Sequence, residues 1–280
     1  MRILLAGCLG QLGRTIQETW REHELVVPGE AEFDITDWPT ASQVVRESKP
    51  DVVLNAAAYT DVDACEANPD LAYRVNALGP RHLASACLQA GAALVHISTN
   101  CVFDGKSTRP YMEFDQPNPI SVYGASKQAG DEAVRAVLAR HYIVRTAWLY
   151  SRLGRNFVKT VLRLSAERPG LAMVADEVSS PTFAPDLALA LEALVREPLY
   201  GTYHLTNAGE CSRLQFAAKV LALAGKPDYP LQPIPLAEYP RPSRPPLYSP
   251  LRNTCGPAIG ITLRPWQEAL AELVPQILGP

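Results

Sequence analysis

Three glycines near the amino terminus constrain this chain more than any other feature. Arg2-Ile-Leu-Leu-Ala6 is a short apolar run, the pattern of a strand buried on both faces. It runs into Gly7-Cys-Leu-Gly10-Gln-Leu-Gly13 and then into an amphipathic stretch that reaches about Glu22. Glycine lets the backbone turn tightly out of the strand and approach a bound group closely. The first amides of the following helix then offer N–H donors and the positive end of the dipole to a pyrophosphate. With a strand before it and a helix behind it, GxxGxxG reads as a dinucleotide-binding turn, a simple αβ connection being the plain alternative.

The alternation continues. Glu24-Leu-Val-Val-Pro28 reads as a second strand, and Thr36 or Asp37 as the cap of a helix that ends at Ser48. Pro50 to Asn55 reads as a third strand, followed by the small residues Asn55-Ala-Ala-Ala-Tyr-Thr60. A helix from Asn76 to Gln89 is expected next, then strands over Ala93–Ser98 and His141–Thr146. Strands spaced by helices imply α/β architecture with a Rossmann-type, doubly wound parallel sheet. Residues 1–150 form the expected dinucleotide-binding core. Residues 151–280 form a smaller substrate-binding lobe, with some segments returning to the core. Ligands bind such sheets at the carboxyl ends of the strands, where Gly7, Asn55, Thr99 and Arg145 lie.

Between the last two of these strands comes Ser121-Val-Tyr-Gly-Ala-Ser-Lys127. Tyr123 and Lys127 are four residues apart, so on a helix they share a face one turn apart. A phenol near pKa ~10 exchanges protons poorly at neutral pH, and a neighbouring ammonium favours the phenolate. The pair is a tunable proton donor for a carbonyl oxygen. The spacing alone also fits a solvated helix face. Its place after Thr99, in a sheet opened by the glycine turn, favours the chemical reading.

Composition excludes several other classes. Net charge is −3 over 280 residues, without the basic field of a nucleic-acid binder. No apolar run reaches the ~18 residues of a membrane span, and Met1 to Gly7 does not read as a signal peptide. Cysteines 8, 65, 87, 101, 211 and 255 form no CxxC pair, have no histidine at ligand spacing and read as reduced thiols of a cytoplasmic protein. Nine prolines from Pro227 to Pro250 exclude a regular helix there and leave an irregular lobe, a lid or a spacer.

Taken together, the motifs resemble the extended short-chain dehydrogenase/reductase family, and within it the branch that reduces dTDP-4-dehydrorhamnose. The resemblance runs almost the full length. Its markers are Gly7 to Gly13, Asn55 to Asp63, Ser98 to Gly105, Val122 to Lys127, Arg145 to Tyr150, Asn156 to Leu164, Pro181-Thr182 with Asp186-Leu187, Gly201 to Leu205, and Arg244-Pro245 with Ser249 and Leu251. It implies NAD(P)H-dependent reduction of a dTDP-linked 4-keto sugar. Thr99, Tyr123 and Lys127 would be catalytic. Gly7, Gly10, Gln11, Leu12, Asp34, Ile35, Ala58, Tyr59 and Thr60, with Tyr123 and Lys127, would hold the cofactor. Thr99, Asn100, Tyr123 and Trp148 would meet the substrate, and Lys127 would lower the tyrosine pKa.

The family usually has Ser-Thr-Asp-Tyr-Val-Phe where this chain has Ser98-Thr-Asn-Cys-Val-Phe103, so Asn100 and Cys101 bear on the identity of the sugar. NADPH is expected, with NADH as the other candidate, because Pro28 to Glu32 holds neither an arginine cluster nor a clean terminal acid. The acidic residues of the magnesium-linked dimer known in some members find no counterpart, so no metal is expected. A homodimer stays open. Two other functions compete with the reductase. One is an NADP-binding regulatory subunit like that of methionine adenosyltransferase. The other is an epimerase of the same extended family. Arg145 suits a core acid as well as a diphosphate, Arg244 suits a diphosphate or a solvated surface, and His96 suits a packed neutral imidazole.

Overall fold

The computed structural model describes residues 1–29 and 31–279. Its centre is a six-stranded parallel sheet made of β1 (Arg2–Ala6), β2 (Glu24–Val26), β3 (Val52–Asn55), β4 (Ala93–Thr99), β5 (His141–Thr146) and β6 (Gly201–His204). The spatial order is β6-β5-β4-β3-β1-β2. The chain steps outward from β1 to β2 and then crosses back to β3 on the other side. The carboxyl ends of β1 and β3 therefore flank the switch point, where such sheets leave a crevice.

Two helical layers cover the sheet. Leu5, Leu54, Val95, Val144 and Tyr203 face one layer, formed by α1 (Gln11–Thr19) and α6 (Ala184–Leu194). Leu4, Val53, Leu94 and Ile143 face the other, formed by α2 (Trp38–Ser48), α3 (Gly79–Ala90) and α4 (Val122–Val137). The Trp20 indole donates 2.9 Å to the carbonyl of Ala188, fastening α1 to a helix 168 residues downstream. On the α4 side the sheet turns polar toward the carboxyl ends. Asn55, His96, Ser98, Arg145 and His204 are all buried there and lie in adjoining register.

The remaining chain builds a lobe around Tyr150, Phe216 and Trp266, with helices α5 (Phe157–Glu167), α7 (Arg213–Leu223) and α8 (Trp266–Leu278). Here the proline-rich stretch is more ordered than its composition suggests. Leu231–Ile234 pairs in parallel with Leu171–Val174 despite Pro233. That strand has a single partner, so a missing N–H on its open side costs nothing. Residues 239–251 then return across the sheet half.

Boundaries differ from expectation in two places, each for a local reason, and one open alternative is resolved. β2 stops at Val26, short of Pro28, which has no N–H to pair. Asp37, not Thr36, caps α2 by accepting 3.0 Å from the Thr40 amide. The helix expected from Asn76 begins instead as a π-helical turn over Arg74–Leu78. Asn76 spends its side chain on other segments, and Gly130 of α4 comes so close that a Cβ there would lie 2.2 Å from the Asn76 carbonyl oxygen.

The cap of α4 is Ser121, whose hydroxyl accepts 3.1 Å from the Gly124 amide. Ser121→Ala is expected to cost about 1 kcal/mol of stability, read as a lower urea midpoint at unchanged slope.

Candidate active site

The glycine turn works through two kinds of contact. Gly7 has φ +80°, and a Cβ on it would sit 2.4 Å from the Ala57 amide nitrogen. A Cβ on Gly13 would sit 2.2 Å from the Gly7 carbonyl oxygen. Both are needed to seat α1 against the strand ends. Gly10 meets nothing closer than 3.5 Å and is exposed, so its bareness serves the groove and not the packing. Gly10 caps α1 without any side-chain hydrogen bond, leaving the first amides of the helix free for an anion.

Two cavities of about 480 and 450 Å³ open over this turn and share Gly10, Ala56 and Ala58, forming one groove. Gly7, Asp34, Ile35 and Ala58 line the first. Gln11, Leu12, Thr60, Thr99, Asn100, Tyr123, Lys127 and Trp148 line the second. Tyr59 lines neither. Its backbone is fixed instead by Asn76, which accepts 2.8 Å from the Tyr59 amide and donates 3.0 Å to its carbonyl. The side-chain amide of Asn76 also donates 3.1 Å to Ser126 on α4. Asn76 thus sets the loop between the two cavities, a role that short-range sequence pattern does not signal.

Tyr123 reaches Thr99 because α4 begins almost in contact with the loop after β4. A Cβ on Gly124 would lie 2.1 Å from the Cys101 carbonyl oxygen, so only glycine allows this approach. The sequence resemblance has Lys127 lowering the tyrosine pKa, but burial is the larger effect and pushes the Tyr123 phenol up. Thr99 opposes that shift. Lys127 donates 2.7 Å to the carbonyl of Ile97 instead. Burial pulls its ammonium down to about 8, against the attraction of Asp131.

Asp131 stands behind Lys127, one turn further along α4. Ser98 donates 2.8 Å to it, and Arg145 and His96 approach to 3.6 and 3.5 Å. Arg145 therefore pairs with a core acid. Burial holds His96 neutral. Asn55 accepts from the Ala57 amide through Oδ1, so its Nδ2 donates to His96 Nδ1 and leaves the imidazole proton on Nε2, facing Asp131.

On the lobe side, Trp148 holds φ +42° and lines the groove, with the Arg213 guanidinium 3.5 Å over its ring. Arg213 pairs with Glu177 at 3.1 Å, and Arg241 pairs with Asp63 at 3.1 Å. All three of Glu177, Arg213 and Arg241 line the cavity, and sequence reasoning named none of them. Arg244, which it did name, is exposed and lines neither cavity. Cys101 lines the groove as a neutral thiol that burial raises to about 11. Among the described residues there is no cluster of three or more His, Cys, Asp or Glu able to hold a metal ion, and no helix long and apolar enough to cross a membrane.

A dinucleotide turn at the switch point of a parallel sheet, with a threonine, a tyrosine and a lysine around one groove, defines a Rossmann-type oxidoreductase of the short-chain dehydrogenase/reductase class. The comparisons with known proteins agree. The model of the RmlD substrate binding domain family matches residues 1–278. The chain is 40% identical to dTDP-4-dehydrorhamnose reductase of Mycobacterium tuberculosis over 279 residues, 96% of this chain and 91% of the relative. A crystal structure of a dTDP-4-dehydrorhamnose reductase from Clostridium acetobutylicum superposes with a TM-score of 0.95 at 41% identity, covering 100% of both chains. The Bacillus anthracis enzyme, solved in complex with NADP, gives 0.95 at 39% identity, over 98% of this chain and 99% of that one. This chain belongs to the RmlD substrate binding domain family.

Proposed function

We propose that the chain uses NADPH to reduce the 4-keto group of dTDP-4-dehydro-L-rhamnose, giving dTDP-L-rhamnose. The observation that carries this reading is the convergence of Thr99, Tyr123 and Lys127 on a cavity continuous with the glycine turn.

The groove suits a dinucleotide. The uncapped N-terminus of α1 and the bare Gly10 would take the pyrophosphate, beside Gln11 and Leu12. Asp34 and Ile35 would flank the adenine end, and Ala58 and Thr60 the middle. When bound, the nicotinamide supplies hydride. Tyr123 supplies the proton to the carbonyl oxygen, and Thr99 steadies the charge that develops there. The raised phenol is the form that reduction needs, since it arrives protonated. Lys127 balances the tyrosinate left behind. Trp148 would lie along the sugar, and Arg213 and Arg241 offer guanidinium groups to the diphosphate. No arginine or lysine lines the adenine-side cavity among the described residues, so NADH is expected to serve as well. Six free thiols suit a reducing cytoplasm.

A coupled assay tests this. dTDP-4-dehydro-L-rhamnose is supplied with NADPH or NADH in parallel, and loss of nicotinamide absorbance is followed. Oxidation of neither would refute the reading, and NADPH binding without oxidation would favour a regulatory binder. The same assay carries a pH prediction. The Lys127 ammonium is the working form, so kcat/KM is expected to fall as pH rises through about 8. A rate that stays level to about pH 10 would count against the role given to Lys127.

A further inference from the structure

Asn100, which is 3% exposed, joins three separate segments of the chain. Its Nδ2 donates 2.7 Å to the Ser249 hydroxyl, 3.0 Å to the Ser179 hydroxyl and, at 3.5 Å, toward the Ser249 carbonyl. A carbonyl can only accept, and the Ser179 hydroxyl already donates to that same carbonyl at 3.4 Å. The amide nitrogen must therefore face the two serines, which leaves Oδ1 facing Thr99. The Thr99 hydroxyl donates 3.2 Å to this oxygen, and the Cys101 thiol approaches it at 3.8 Å.

The hydroxyl of Thr99 has one proton and two lone pairs. Its proton is on Asn100, and the Cys101 amide takes one lone pair at 3.2 Å. The remaining lone pair has no partner among the described residues, and Tyr123 lines the same cavity as Thr99. Thr99 thus donates to Asn100 and accepts from the Cys101 amide. Asn100 and the Cys101 amide fix the place of the Thr99 oxygen, and its proton can swing to a substrate carbonyl when one is bound. The sequence resemblance places Asn100 against the sugar, but the polar atoms of its amide are committed to the protein.

We propose that Asn100 is a positioning residue that acts through Thr99, tying the placement of the Thr99 hydroxyl to the seating of Ser249 at the groove and of Ser179 behind it. This rests on the carbonyl reduction proposed above. An acid in its place would need both serines to turn and donate. The amide lets them accept and adds no negative charge beside Tyr123.

The test is a double-mutant cycle of Thr99→Ala and Asn100→Ala, measured with NADPH and dTDP-4-dehydro-L-rhamnose on the full chain. Wild-type turnover in the same assay judges the reduction itself, independently of Asn100. Asn100→Ala is expected to lower kcat about tenfold to a hundredfold, the scale of a misplaced catalytic group, with NADPH affinity unchanged. In the Thr99→Ala background it is expected to change kcat by no more than about twofold. Effects that multiply, or a single variant with wild-type kcat, would overturn the proposal. Asn100→Asp keeps an acceptor for Thr99 and covers the case in which the alanine variant does not fold. Its kcat is expected to fall less than that of Asn100→Ala, since the acceptor for Thr99 is kept while the donation to Ser179 and Ser249 is lost. A loss as large as that caused by Thr99→Ala would overturn the proposal too.

Discussion

Tyr123→Phe is expected to lower kcat by roughly 10²–10⁴-fold, the usual contribution of a positioned general acid, while NADPH binds as before. The two parts of this expectation have separate causes. The ring is held by its place at the start of α4, where Ser121 caps the helix and Gly124 lets it approach the Cys101 loop. Phenylalanine keeps that packing. Only the hydroxyl is lost, and with it the proton for the sugar oxygen. Steady-state kinetics beside a fluorescence titration of NADPH read the two parts independently. Full turnover with cofactor bound would remove Tyr123 from the chemistry.

The second large effect is expected at Gly7. Gly7→Val places a β-branched residue at φ +80° and drives its Cβ to within 2.4 Å of the Ala57 nitrogen. A left-handed conformation costs an ordinary residue about 1–2 kcal/mol, and forcing extra atoms into packed structure about 1–3 kcal/mol more. A net loss of roughly 2–5 kcal/mol is a large fraction of an ordinary domain's stability. The urea midpoint should drop sharply and NADPH binding should be lost. Gly10→Ala is the informative control. Its Cβ meets the Gly7 carbonyl oxygen at an ordinary 3.5 Å, so the fold should hold while cofactor affinity falls. Equal destabilisation by the two substitutions would mean that the glycines do not divide the work in this way.

The parts of this molecule legible in the sequence are those that depend on local pattern. Apolar runs flanked by glycines and caps located five of the six sheet strands and the helix carrying Tyr123 and Lys127, because period and turn chemistry are local properties. β6 follows a long excursion through the lobe, and nothing near Gly201 says that it returns to pair with β5. The site divides the same way. Thr99, Tyr123 and Lys127 lie in motifs that carry their own context. Glu177, Arg213 and Arg241 come from loops and a helix start whose approach to the groove depends on how the lobe closes, and Arg244 looked as suitable as Arg241. Asn100 was visible as a departure from the family pattern, but its partners Ser179 and Ser249 lie 79 and 149 positions away. The pKa of Tyr123 depends on burial, which the spacing of Tyr123 and Lys127 does not report.

Synthesis on the ribosome gives the late return of β6 a kinetic meaning. The first five strands emerge in order, yet the edge of β5 stays unpaired and Trp20 has no carbonyl to meet until α6 and β6 have been made. At about 5–20 residues per second, residue 204 follows the first strand by roughly 10–40 s. Through most of that time α1 is uncovered, and for the last 58 residues, roughly 3–12 s, the edge of β5 is open. Folding factors that shield strand edges would act on it then, and a stall between β5 and β6 would be more harmful than one near the carboxyl terminus.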